Sequence, residues 1–150
     1  MKIKFETDDS LDEDEIIVKC RSFDCHIQEL KAAIQEVYDS QSKITLYKES
    51  TAYYIPLENV LFFETENSHV QAHTEKDIFQ VKYRLYELEE ILPGYFIRIS
   101  KSSILNIRRI YGIDHSFHTP VTIHFQDTHK QVYVSRYYYK SLKERIKEMR

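Results

Sequence analysis

The residues best placed to do chemistry stand between Phe96 and Arg109, in the run F-I-R-I-S-K-S-S-I-L-N-I-R-R. Arg98, Lys101, Arg108 and Arg109 are interleaved with Ser100, Ser102, Ser103 and Asn106, and no carboxylate interrupts them. Cations, hydroxyls and an amide on a short loop suit phosphate oxygens and the mixed donor and acceptor edges of bases. The same composition also describes a solvated hairpin whose charges meet only water. Apolar residues recur through the run at Phe96, Ile97, Ile99, Ile104, Leu105 and Ile107. That pattern predicts two strands joined at a polar turn over Ser100 to Ser103, with the apolar half tied into a core.

Other chemistries find little support. The chain has two glycines, Gly94 and Gly112, neither in a phosphate-cradling loop, so P-loop and dinucleotide fingerprints are excluded. Neither G-x-S-x-G nor H-E-x-x-H occurs. Glu64 and Glu66 share a strand face in the manner of a carboxylate pair, but no histidine accompanies them as a partner. Cys20 and Cys25 lie beside His26, and His73 follows His69 by four residues, yet no second pair at ligand spacing follows the cysteines. The expectation is therefore a protein without catalytic residues, metal, cofactor or small-molecule substrate. No apolar run approaches the roughly 18 residues of a membrane span, and the N-terminus lacks the apolar core of a signal peptide. With two cysteines too few for a disulfide scaffold, a cytoplasmic location is expected.

A net charge of -3 argues on its face against nucleic acid. The distribution reverses this. Residues 1–40 carry 5 Lys and Arg against 11 Asp and Glu, while the remainder carries 16 against 13, giving -6 and +3 respectively. The acidic tract from Asp8 to Glu15 reads as a solvated loop, or else as a competitor for the basic surface or a dock for a basic partner.

The elements that must position the run follow from periodicity. In residues 1–43, Lys2 to Thr7 and Glu15 to Arg21 alternate like two strands. A helix follows, capped by Ser22 or Asp24, with Ile27, Leu30, Ile34 and Val37 on one stripe, and Asp39 to Ser42 ends it. So short a unit must pack on the rest, on a second copy or on another protein, and suits regulation or dimerisation. From residue 44 the pattern is mostly β: Ile44 to Tyr47 with Ala52 to Ile55, then Val60 to Glu64, Val70 to Thr74 and Phe79 to Val81. One helix interrupts, from about Tyr83 to Leu92, presenting Leu85, Leu88, Ile91 and Leu92 and stopped by Pro93-Gly94. Ile110 to Ile113, Val121 to Phe125 and Gln131 to Val134 come next. A terminal helix with Tyr139, Leu142, Ile146 and Met149 on one stripe closes the chain.

The runs E-N-V-L-F-F-E (58–64), Y-E-L-E-E-I-L (86–92), F-I-R-I-S-K-S-S-I-L-N (96–106) and V-Y-V-S-R-Y-Y (132–138) resemble the LytTR DNA-binding domain over about residues 44–150. The resemblance rests chiefly on F-I-R-x-x-x-S-x-x-x-N. It implies a mostly β (α+β) fold of small sheets with one internal and one C-terminal helix, here preceded by a short ββα unit. It also implies double-stranded DNA read through loops, on the promoter direct repeats of bacterial transcription regulators.

Carried onto this chain, the resemblance implies three reading places. The first is the turn after Glu64, where the base contact falls at His69, with Asn67 as a one-residue register alternative. A neutral imidazole both donates and accepts towards a base edge. The second is Lys101, where some relatives carry Asn; lysine donates to guanine O6 and N7 but cannot accept. Ser100, Ser102 and Arg98 would position that loop on phosphates, although Arg98 alternates away from Lys101 and is also suited to bracing the fold. The third is Ser135-Arg136-Tyr137. Ser135 is a good N-cap, and Arg136 has no dipole reason to stand in a first helical turn. Several relatives place the base-reading arginine one residue later, where this chain has Tyr137, so either residue is the third reader. Lys140 fits a phosphate contact.

The forty N-terminal residues are too short for a receiver domain, so control comes by another route. The resemblance to stand-alone regulators suggests a homodimer, at least on DNA, and a membrane protein that holds the regulator inactive. Two other classes stay open: an RNA or single-strand binder stacking bases on some of its 12 tyrosines, and a protein-interaction module using the helix near residues 25–38.

Overall fold

The alternating stretches from residue 43 onward pair as antiparallel strands in the computed structural model, which describes residues 1–41, 43–116 and 118–148. β1 (Lys43–Lys48), β2 (Thr51–Pro56), β3 (Phe62–Glu66), β4 (His69–His73), β5 (Ile78–Val81), β6 (Phe96–Ser100) and β7 (Ser103–Asn106) form one sheet in the order β2-β1-β5-β4-β3-β7-β6. β8 (Ile110–Asp114), β9 (Val121–Phe125) and β10 (Gln131–Val134) form a second, in the order β10-β9-β8. The helices are α1 (Cys25–Gln41), α2 (Leu85–Ile91) and α3 (Arg136–Glu148).

The larger sheet is covered on both faces, which explains why its central strands carry adjacent apolar residues and not simple alternation. Neighbouring residues of a strand point to opposite faces. Phe63 and Ile104 therefore enter one core with Leu46, Ala72, Phe79 and the α2 residues Leu85 and Leu88. Phe62 and Leu105 enter another, with Ile123, Phe125 and Val132 of the smaller sheet and Leu142 of α3. Each such fully buried large side chain contributes about 1.5–3 kcal/mol. Further along the second face the row Ser103–Glu64–Gln71–Gln80–Tyr47, neighbours by register, is largely polar.

α2 begins where the Arg84 backbone N–H donates to Glu87 Oε1 at 3.1 Å. It ends at Leu92, whose backbone is extended (φ -75, ψ 147), as suits a residue before proline. Leu85 and Leu88 are buried, but Ile91 is 56% exposed, against the expectation that it faces the core. At 100° per residue Ile91 lies about 60° beyond Leu88, past the edge of a stripe that Leu92 continues. In α3, Tyr139, Leu142 and Ile146 lie on one packed stripe; Met149 falls outside the described residues.

The end of the larger sheet beside the β4–β5 turn is closed by paired charges. Lys48 Nζ meets Asp77 Oδ1 at 2.5 Å, and Lys130 Nζ donates to the Asp77 carbonyl at 2.7 Å, tying the β9–β10 turn to the larger sheet. Arg109 pairs with Glu75 and donates to the Glu58 carbonyl. Asn106, expected among the outward-facing donors, is fully buried: its Nδ2 donates to the Val60 carbonyl at 2.8 Å and its Oδ1 accepts from the Arg108 N–H at 3.0 Å. It is a core bracket.

The chain divides into two compact units, Met1–Val37 and Tyr38–Arg150. In the first unit the expected strands over residues 2–7 and 15–21 do not form, and the ββα expectation reduces to a helix. A lone two-stranded hairpin is marginal in water, and the loop joining this one would concentrate carboxylates. Ile3, Phe5, Ile16 and Ile17 are accordingly exposed. The α1 prediction holds at its start: Asp24 Oδ1 accepts from the Ile27 N–H at 3.1 Å. Ile27, Leu30 and Ile34 are half-buried, whereas Val37 is 58% exposed. Asp39 to Gln41, expected to end the helix, continue it, and Ser42 lies outside the described residues.

Candidate nucleic-acid interface

Three segments distant in sequence meet at the other end of the larger sheet. The first is the β3–β4 turn. Asn67 and Ser68 both have left-handed backbones (φ 52 and 69), the conformation a two-residue hairpin turn of matching twist requires, and Asn adopts it readily. Glu66 then pairs with His69 across the hairpin, and residues 66–69 are all exposed.

The second is the β6–β7 turn. Ser100 pairs with Ser103, leaving Lys101 and Ser102 as a two-residue tip, shorter than the turn expected over 100–103. Ser102 N–H donates to Ser100 Oγ at 3.2 Å, and the two hydroxyls lie 3.3 Å apart. Arg98 holds the tip from beneath: Nε donates to the Ser100 carbonyl at 2.7 Å, and the terminal nitrogens donate to the Lys101 carbonyl and to Glu89. Lys101 is exposed and in no ion pair among the described residues.

The third is the start of α3. The Ser135 carbonyl accepts from the Tyr139 N–H at 3.0 Å, as an N-cap residue should, while its hydroxyl is buried with no partner among the described residues. Arg136, Tyr137 and Lys140 are exposed, with Lys140 one helical turn beyond Arg136. The three consecutive tyrosines divide. Tyr137 is 84% exposed, Tyr138 is half-buried with its ring edge-on to Tyr137, and Tyr139 packs on the core while its hydroxyl meets His115 Nδ1 at 2.6 Å.

Two backbone hydrogen bonds draw these segments together. Thr65 N–H donates to the Ser102 carbonyl at 2.8 Å, fixing the tip of β6–β7 beside β3 just before its turn. Ser135 N–H donates to the Ile99 carbonyl, also at 2.8 Å, fixing the start of α3 beside β6. β6 is an edge strand, and its register slips between Arg98 and Ser100, a bulge at the residue whose carbonyl accepts the second bond. His69 and Asn67, Lys101 with Ser100 and Ser102, and Arg136 with Tyr137 thus share one end of the fold.

An open groove joins this end to the β5–α2 connection, lined by Ser68, His69, Lys82, Arg84, Arg98 and Lys101, with Glu49 as the one carboxylate among the described residues that line it. Lys82 and Arg84 carry no local sequence pattern; only the strand register could have pointed to them. Glu64, near the groove, has its carboxyl pushed up by burial and then by Glu66. His73 does not share the exposure of His69: it is stacked on Phe62, ring centroids 4.3 Å apart, and pushed down to about 4 by burial and by Lys130. Among the described residues no group of three or more His, Cys, Asp or Glu is placed to hold a metal ion. No helix there is long and apolar enough to cross a membrane.

Comparison with known proteins gives matches in sequence and in fold. Residues 50–147 match the family described as the LytTr DNA-binding domain. Two uncharacterised HTH-type transcriptional regulators of Staphylococcus aureus, from strains bovine RF122 / ET3-1 and MSSA476, are each 36% identical to this chain over 124 and 121 residues, covering 81% of both partners. The solved LytTr DNA-binding domain of a Bacillus cereus protein described as a methyl-accepting/DNA response regulator superimposes with a TM-score of 0.65 at 25% identity. It covers 70% of this chain and 96% of that one.

Proposed function

The chain belongs to the LytTr DNA-binding domain family, and from that membership we propose that it is a transcription regulator reading promoter direct repeats in duplex DNA through turns. The observation that carries the loop reading is the pair of backbone hydrogen bonds, Thr65 to Ser102 and Ser135 to Ile99, that holds three exposed segments at one sheet end. The label of the relatives is helix-turn-helix, yet strands separate all three helices among the described residues here, which favours reading by turns.

In this reading His69 offers a donor and an acceptor to a base edge, with Asn67 beside it at the tip, and Lys101 donates to guanine O6 and N7. Arg136 is the third reader, with Tyr137 as the neighbouring alternative. Ser100, Ser102 and Lys140 contact phosphates and set orientation. Arg98, whose guanidinium is engaged by Glu89 and two turn carbonyls, serves by holding Lys101 in place and not by meeting phosphate itself.

The test is binding of the full-length protein to the duplex upstream of its own gene against a scrambled duplex, across salt. Preference for the first duplex, weakening log-linearly with salt and lost in His69→Ala or Arg136→Ala, is expected. Equal binding to both at every salt would leave only a basic surface. Regulation is assigned to residues 1–43, whose exposed apolar side chains suit a homodimer contact or a membrane-protein inhibitor. Light scattering with and without DNA tests the first, and failure of any membrane protein to co-purify from the native host would remove the second.

A further inference from the structure

We infer that the β5–α2 connection contributes a second set of phosphate contacts, Lys82 and Arg84, which carries the DNA footprint past the three turns; this rests on the DNA-reading function above. The placement follows from register. Val70 pairs with Val81 and Glu66 with His69, so the next residue of β5's strand line, Lys82, falls beside His69 at the same sheet end as the turns. Both side chains are exposed and line one open groove with His69 and Lys101.

Their charge is left available. Neither Lys82 nor Arg84 is in an ion pair among the described residues, whereas Lys48, Arg98 and Arg109 each meet a carboxylate. The Lys82 ammonium lies 4.2 Å from the centroid of the Tyr47 ring, a contact that orients a cation without neutralising it. A held, unneutralised cation on an open groove beside a base reader suits a phosphate oxygen. Such contacts raise affinity without carrying sequence information.

The experiment titrates salt for full-length wild type, Lys82→Gln and Arg84→Gln on the own-promoter and scrambled duplexes. Each substitution is expected to reduce the slope of log affinity against log salt by about 1 on both duplexes, leaving the ratio between them unchanged. Lys82→Arg, which keeps the charge, should restore the wild-type slope, separating charge loss from damage to the fold. Unchanged slopes in both glutamine variants, or a lost preference between duplexes, would overturn the inference while leaving the DNA reading intact. Failure of the wild type to bind either duplex would remove both.

Discussion

At the end of the larger sheet that carries Asp77, Lys48 and Arg109 each meet a carboxylate and Lys130 a carbonyl, bonds that join strands or sheets. At the end that carries Lys101, the exposed cations Lys82, Arg84, Lys101 and Arg136 are in no ion pair among the described residues. A cation already beside a carboxylate has little attraction left for a phosphate, whereas an unpaired one on a rigid turn keeps it. Arg98 shows that position alone does not decide: it stands at the open end yet is engaged by Glu89 and by the turn it supports. One end therefore holds the fold and the other carries the unpaired cations proposed to meet DNA, and substitutions should separate the two by their effect on stability.

The largest effect belongs to pH at the closed end. His73 is held neutral, with its folded pKa near 4 against about 6.5 when unfolded, so the unfolded chain binds more protons between these values. Stability is full above about pH 6.5 and falls by up to about 3 kcal/mol as pH drops towards 4. Denaturant titrations of wild type and His73→Phe across that range should show the variant with the flatter profile. A parallel pair of profiles would place the acid sensitivity elsewhere.

Asn106→Ala comes next. It leaves the buried Val60 carbonyl unpaired and should cost about 2 kcal/mol, read as a lower denaturation midpoint, with unaltered duplex preference in the protein that remains folded. Smaller still is Glu75→Gln. The Arg109–Glu75 pair is about one-third exposed, so its loss should cost no more than about 1 kcal/mol. A larger fall in thermal stability would mean that Arg109 braces more of the closed end than this pair.

How much of the fold is legible in the sequence follows the range of the interactions involved. The strands over 121–125 and 131–134 were legible to the residue, because alternation is local and each run is bounded by turn residues. The strands expected over 2–7 and 15–21 have the same alternation but would make only a lone hairpin, marginal in water, and alternation alone cannot supply further strands. In the basic run the residue types were plain but their partners were not. Glu89 lies nine positions from Arg98 and Glu75 lies 34 from Arg109, so only the folded register separates bracing cations from free ones. Asn106 misled for the same reason: an amide in a polar run reads as a surface donor until the Val60 carbonyl arrives from 46 residues away. Lys82 and Arg84 sit in an unremarkable sequence, and become visible as a pair beside His69 only through the β4–β5 pairing.

Lys101→Asn asks for the smallest change in stability and the clearest change in reading. Lys101 is exposed at the tip of a two-residue turn, and the bonds that shape the tip come from the Ser100 hydroxyl and from Arg98 to backbone carbonyls. Its side chain holds nothing in place among the described residues, so the denaturation midpoint should move by no more than about 0.5 kcal/mol. The chemistry at the tip changes in kind, because lysine only donates while an amide both donates and accepts. Preference at one base pair should move from guanine towards adenine by about 1–3 kcal/mol, measured by competition among four duplexes differing only there. Binding that weakens equally on all four would reduce Lys101 to a phosphate contact, and a fall in stability above 1 kcal/mol would place it with the cations that hold the fold.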